Sequence, residues 1–216
     1  MLIKLFKLVL ILFFYQGSLY SKTKILNDFN SRYLSNYFSG IVAYENKNNS
    51  EALKFFNSSK FLIKHHTAYL ERYVYSLVLE GKVKQATNQI KINSADKNSD
   101  FFEAHLMLAL DSLKKKDYKK SGEHLKRSYA FINNDKISLI TAETLKQYLY
   151  VFEQKKILAS GKKFGNFTSI NEVFQKCYLN NEKTDTYFES LIFNENDTDY
   201  SRYVFFYINY LIEKND

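Results

Sequence analysis

Small residues recur along this chain at a nearly constant distance. Ala52 and Ala86 stand 34 positions apart, and Ser121 follows 35 later. Four residues beyond each lies an apolar anchor: Phe56, Ile90 and Leu125. Twelve residues before each lies another small or modest residue: Gly40, Val74 and Ala109. A spacing of this length marks a supersecondary unit that cannot bury its own apolar face and needs a stacked neighbour to do so. The competing explanation is an irregular helical bundle with a chance period.

The segments between these marks carry helical periodicity. Helices are predicted in pairs: residues 33–46 with 50–63, 68–80 with 83–92, and 102–115 with 118–132. Short polar turns join the members of each pair, at Asn46-Lys47-Asn48-Asn49, Gly81-Lys82 and Lys116-Asp117. Turns this short force the two helices to lie antiparallel. Where they cross closely the contact residues must be small, as Gly40, Ala52, Ala86, Ala109 and Ser121 are. A third small or polar residue, Ser59, Asn93 or Ser128, recurs near the end of each second helix.

A helix-turn-helix unit of 34 residues, with a small residue opening the second helix and an apolar one a turn later, resembles the tetratricopeptide repeat (TPR). The resemblance covers residues 33–132. It departs from the family pattern in the early position of the first helix, which is Asn36, Leu70 and His105 here, in lacking the closing proline, and in the small contact position near the end of the second helix, which is Ser59, Asn93 and Ser128. It implies an all-α fold of antiparallel helix-turn-helix hairpins stacked as a right-handed solenoid. It also implies a bacterial exported TPR protein that holds a protein or peptide in a groove lined by the first helices. Groove candidates are Tyr44, Arg72, Tyr75 and Asp111.

The chain has no proline, where an average chain of this length carries about ten, and it has 6 Gly and no Trp. A coding sequence rich in A and T explains this bias. Helix ends must therefore be marked by Asn, Asp, Gly and charge rather than by proline. The aromatic content is high, with 18 Tyr and 19 Phe, enough to bury a core and to argue against disorder. The one cysteine, Cys177, allows no internal disulfide and reads as a small buried hydrophobe.

Residues 1–21 read as an export signal rather than as fold. Lys4 and Lys7 precede an uncharged apolar run, Leu8 to Tyr15, and a short polar stretch ends at Ser21. That order is the three-part signal pattern, and the run is short of the roughly 20 residues that span a bilayer. A retained N-terminal anchor is the alternative. Loss of Lys4 and Lys7 lowers the formal charge from +8 to +6, an excess suited to weak association with anionic envelope surfaces. The expected location is the periplasm or cell envelope.

Residues 22–132 form the three repeats, and 133–216 read as degenerate helical repeats. Helices are predicted at 137–152, 170–179 and 186–193, with breakers at 160–166, 180–181 and 194–197. The final segment, 200–212, is apolar nearly all round and should be buried on most sides. The polar tail Glu213-Lys214-Asn215-Asp216 resembles the turn inside a repeat, so the expectation is a chain cut off within a final repeat. The segment Tyr203 to Ile212 would then favour self-association.

Recognisable catalytic motifs are missing. Ser160-Gly161-Lys162-Lys163 lacks the rest of a phosphate loop, and no G-x-S-x-G or H-E-x-x-H occurs. His65-His66 lies in a turn between repeats and reads as a surface pair. His105 and His124 fall on the two helices of the third repeat and could meet, with Glu103 or Glu123 nearby. The basic stretch Lys114-Lys115-Lys116, Lys119-Lys120, Lys126-Arg127 reads as a solvated turn or as a patch for an anionic partner; nucleic acid is not expected, because the aromatics follow core spacing. The expected function is an exported TPR-like scaffold that binds a protein or peptide, with no catalysis, metal or cofactor of its own. The alternatives are an envelope enzyme accessory domain with a small His/Glu site and a purely structural subunit of a larger repeat assembly.

Overall fold

The computed structural model describes residues 30–95, 99–159, 161–193 and 201–215. The export-signal segment and the breaker at 194–197 lie outside the described residues. Those residues hold helices and no strand. They divide into two compact units, one ending at Leu62 and one beginning at Ile63. None of the described helices is long and apolar enough to cross a membrane.

The first unit is a helical hairpin, α1 (Ser31–Glu45) and α2 (Asn49–Ser58). Asn30 caps α1 by accepting from Arg32 N at 2.9 Å. Asn48 caps α2, accepting from Glu51 N and donating back to the Glu51 carboxylate at 2.8 Å. The bond from Glu51 N satisfies a helix-end donor that has no partner inside the helix, and the side-chain bond to the Glu51 carboxylate holds Asn48 in place for it. The hairpin core joins Tyr37, Gly40, Ala43, Ala52, Leu53 and Phe56. Gly40 is there because nothing larger fits: a Cβ at this position would lie 2.9 Å from Phe56 Cε1 and 3.0 Å from Cδ1.

The second unit opens with a hairpin of α3 (Tyr69–Leu79) and α4 (Val83–Ile92), followed by one of α5 (Phe102–Lys114) and α6 (Tyr118–Ser128). Val74, Ala86 and Ile90 are fully or nearly fully buried in the first, and Ala109, Ser121 and Leu125 in the second. The crossing of α5 and α6 is close enough for Ser121 Oγ to donate to the Ala109 carbonyl at 2.8 Å. This bond is buried and ties two helices through their smallest residues.

One turn geometry closes all three hairpins. Lys47, Gly81 and Lys116 have left-handed φ values of 59°, 70° and 60°. In each, the next amide reaches back five residues: Asn48 N to Ala43 O, Lys82 N to Leu77 O, and Asp117 N to Ser112 O, at 2.8 to 3.0 Å. This pattern satisfies carbonyls left over at the end of the first helix.

Two of the three second helices, α2 and α6, end earlier than periodicity predicts. α2 stops at Ser58 and gives way to a 3₁₀ turn over Lys60–Lys64, and α6 passes at Tyr129–Phe131 into another. The cause repeats at equivalent positions. Ser59 Oγ donates to Phe55 O, Asn93 Nδ2 to Gln89 O, and Ser128 Oγ to Leu125 O. Side chains that compete for helix carbonyls weaken the helix where they sit.

α7 (Lys136–Gln154) starts at Asp135, whose carboxylate accepts from Ile137 N and Ser138 N, and stops at left-handed Lys155. It packs Ala142, Leu145 and Leu149 against Phe102, Ala109 and Leu125. It also buries Glu143, whose carboxylate meets Lys162 at 3.4 Å and Lys146 at 3.7 Å. α8 (Asn166–Tyr178) begins four residues before the predicted start, because Gly165, at φ 57°, turns the chain into it. A second core joins Val173 of α8 to Phe188 and Leu191 of α9 (Thr184–Ile192), with Tyr203, Tyr207 and Tyr210 packed on it.

The last helix, α10 (Val204–Asn215), corrects the expectation of burial on most sides. Tyr207 and Tyr210 pack on the second core, but Phe205, Ile208 and Ile212 are 66%, 49% and 58% exposed. Among the described residues α10 is covered on one side, and its apolar circumference exceeds what those neighbours bury. Cys177 is half-buried, and burial pushes its thiol up, with Glu213 adding to the shift.

Candidate functional site

In the second unit a shallow cleft of about 650 Å³ runs between α4 and α5. Its floor is apolar, from Val83 on α4 and Met107 and Leu110 on α5. Val83 is 51% and Leu110 47% exposed. The rim is basic: Lys84, Lys91, Lys114 and Lys115. Asp111 stands at one edge, taking Lys91 Nζ at 2.6 Å and Lys115 Nζ at 2.7 Å on one carboxylate oxygen. Hydrogen bonds from Lys115 and then Lys91 hold the Asp111 carboxyl below the usual carboxylate range.

Local sequence explains the arrangement. Val83 opens α4 directly after the left-handed Gly81 turn, before the apolar stripe of Ala86 and Ile90 turns inward. Leu110 follows fully buried Ala109, so it sits about 100° round the helix from the core direction. Neighbouring positions on a helix do not share a face.

The four groove candidates fall on different elements. Asp111 lines the cleft. Tyr75 lies half-buried on α3, bonded to Glu103 and Glu71; burial first, then Glu103, raises its hydroxyl pKa. Arg72 is half-buried on α3, and Tyr44 belongs to α1 of the first unit. The cleft thus lies between the second helix of one hairpin and the first helix of the next. Val83, Lys91 and Leu110 were not singled out by the sequence. The available signal was an apolar residue at a helix position whose neighbours i+3 and i+4 are polar on one side: Leu110 has Leu113 but also Lys114.

His105 and His124 do come together. Their ring centroids are 6.2 Å apart, and His105 stacks on Phe131 at 5.5 Å. His105 Nε2 lies 3.2 Å from Asp100 Oδ1. Glu103 turns instead to Tyr75, and Glu123 acts on His124 only through its charge. Among the described residues no group of three or more His, Cys, Asp or Glu could hold a metal ion.

Burial is the first cause lowering both imidazole pKa values from 6.5. Asp100 opposes it at His105 and Arg127 adds to it; at His124, His105, Arg127 and Lys120 add to it and Glu123 opposes. A folded pKa below the unfolded one means the folded chain binds fewer protons, so stability is lost as pH falls through and below the unfolded value. The melting temperature should therefore drop between about pH 7 and about pH 5. The double variant His105→Gln, His124→Gln should flatten that slope; an unchanged slope would assign acid lability to other groups.

No known family model matches the sequence, and no curated protein matches it. Among solved structures the chain is similar to the TPR domain of Sgt2 from Aspergillus fumigatus. The identity is 16%, over 62% of this chain and 90% of that one, with a TM-score of 0.45.

Proposed function

We propose that this chain is an exported TPR-like scaffold that binds a protein or peptide partner in the periplasm or cell envelope, without catalysis of its own. The observation that supports this reading is the α4–α5 cleft, where Val83 and Leu110 stay exposed between lysines. An apolar floor inside a charged rim is the anatomy of an interaction surface. The partner it suits is a segment with one or two apolar anchors flanked by acidic residues. The basic excess outside the signal segment suits a location near anionic envelope surfaces.

The test is crosslinking and capture from the envelope fraction with the wild-type chain and with Val83→Glu, Leu110→Glu. Both positions are already half exposed, so the variant should keep its helical circular dichroism. A carboxylate placed on the floor should weaken binding by about 30-fold, the effect of losing one hot spot of about 2 kcal/mol. The same partner recovered by the variant at wild-type yield would defeat this reading.

A further inference from the structure

On the far side of the Lys91–Asp111–Lys115 cluster lies a second cleft of about 570 Å³ within the same unit. Lys120, His124 and Arg127 of α6 line it. Their spacing, i, i+4 and i+7, puts all three on one stripe of that helix. The stripe meets the cluster held by α4 and by the end of α5.

Four cations and two carboxylates line this cleft, Lys91, Lys115, Lys120 and Arg127 against Asp111 and Asp117. The surplus is two positive charges with the imidazole neutral. Both carboxylates are already engaged: Asp111 between its two lysines, and Asp117 as the cap of α6, accepting from Lys120 N at 3.1 Å. Lys120 and Arg127 have no ion pair among the described residues. The Nδ1 of His124 is buried without a hydrogen-bond partner. A helix in solvent would carry such charges splayed apart; here the side chains of Lys91, Lys115, Lys120 and Arg127 line one concavity beside His124.

We propose that this second cleft binds a compact dianion, the phosphate group of a small ester. Ammonium groups of Lys91, Lys115 and Lys120 with the planar guanidinium of Arg127, brought together from three helices, can engage the several acceptor oxygens of a tetrahedral oxyanion from different directions. The surplus of two charges matches a dianion. Lys91, Asp111 and Lys115 line both clefts, whereas Lys120, His124 and Arg127 line the second and not the first, so substitutions at these three test the second cleft apart from the α4–α5 cleft.

The experiment follows the His124 imidazole resonances of the full chain by NMR during titration with sodium sulfate and with inorganic phosphate. Sodium chloride at matched ionic strength is the control. Sulfate stays dianionic across the working range, so its pH dependence reports on the protein. Saturable shifts are expected with both dianions and not with chloride. Lys120→Ala and Arg127→Ala should each weaken binding about tenfold, the loss of one charge-assisted contact, while Val83→Glu leaves it unchanged. Sulfate should bind more tightly as pH falls, since protonated His124 adds a positive charge beside the cleft; His105, Asp100, Glu123, Lys120 and Arg127 are the charged or titrating groups around it. Shifts that chloride reproduces, or that persist unchanged in the Lys120→Ala, Arg127→Ala double variant, overturn the proposal. Glycerol phosphate and vesicles containing phosphatidic acid carry the same headgroup chemistry and separate a soluble ester from a lipid as its source. Binding of neither also overturns it.

Discussion

Gly40→Val should cost the first unit about 3 kcal/mol or more, the upper range for overpacking a filled site. Two effects oppose each other at this position. Glycine inside a helix is unfavourable by about 1 kcal/mol relative to alanine, so a side chain there would help an isolated helix. In the hairpin, however, the first added carbon meets Phe56 Cε1, Cδ1 and Cζ at 2.9, 3.0 and 3.1 Å. Phe56 is fully buried and in tilted contact with Tyr37 at 6.0 Å, so its ring has no free volume to enter. Valine adds two further methyl groups to the clash, and its β-branching forgoes part of the propensity gain. Gly40→Ala should fall between wild type and valine. Phe56→Leu should restore part of the loss in the Gly40→Val background, because it removes the atoms that clash. Chemical denaturation followed by circular dichroism gives the magnitudes, and hydrogen exchange places the loss in α1 and α2. A valine variant as stable as wild type would mean that the hairpin can open at this crossing without cost.

Phe188→Ala should remove about 4 kcal/mol from the second unit, as expected for deleting a buried aromatic ring. The ring is fully buried and is the centre of its cluster. Tyr207 stacks on it at 5.2 Å and 21°, Tyr210 lies at 5.7 Å, and Phe174 meets it edge-on at 6.1 Å. These partners come from α8 and α10, so the substitution opens a cavity where three helices meet. The neighbouring core of Phe102, Ala109, Leu125, Ala142, Leu145 and Leu149 contains no member of this cluster. Amides of α8, α9 and α10 should lose protection first, while those of α5 to α7 keep theirs. Phe188→Leu should be far milder. Equal loss of protection in both groups of helices would show that the two cores unfold as one body.

Much of the fold was legible because its marks are local. Turn residues and small contact residues repeat at 34 and 35 positions, and α4 spans the predicted residues 83–92. The ends of α2 and α6 were not legible from apolar periodicity, because side-chain bonds from Ser59 and Ser128 decide them. α10 was misjudged for a different reason: an apolar circumference states what a helix could bury, not what its neighbours supply. The cleft was the hardest feature. Leu110 belongs to a run of apolar letters, and only the placement of α4 beside α5 leaves it in the open. The approach of His105 to His124 is open to sequence reasoning, since nineteen residues across a hairpin returns the chain to the same level; Asp100 as the partner of His105 carries no such periodic mark.

Lys47, Gly81 and Lys116 hold one backbone state with two different residue types. For lysine the left-handed state costs roughly 1 kcal/mol or more relative to glycine, yet the hairpin closes in the same way. A geometry that accepts either residue leaves no fixed letter at the position that defines it. The repeat in such a chain is then carried by intervals between turns rather than by the residue that stands at each turn.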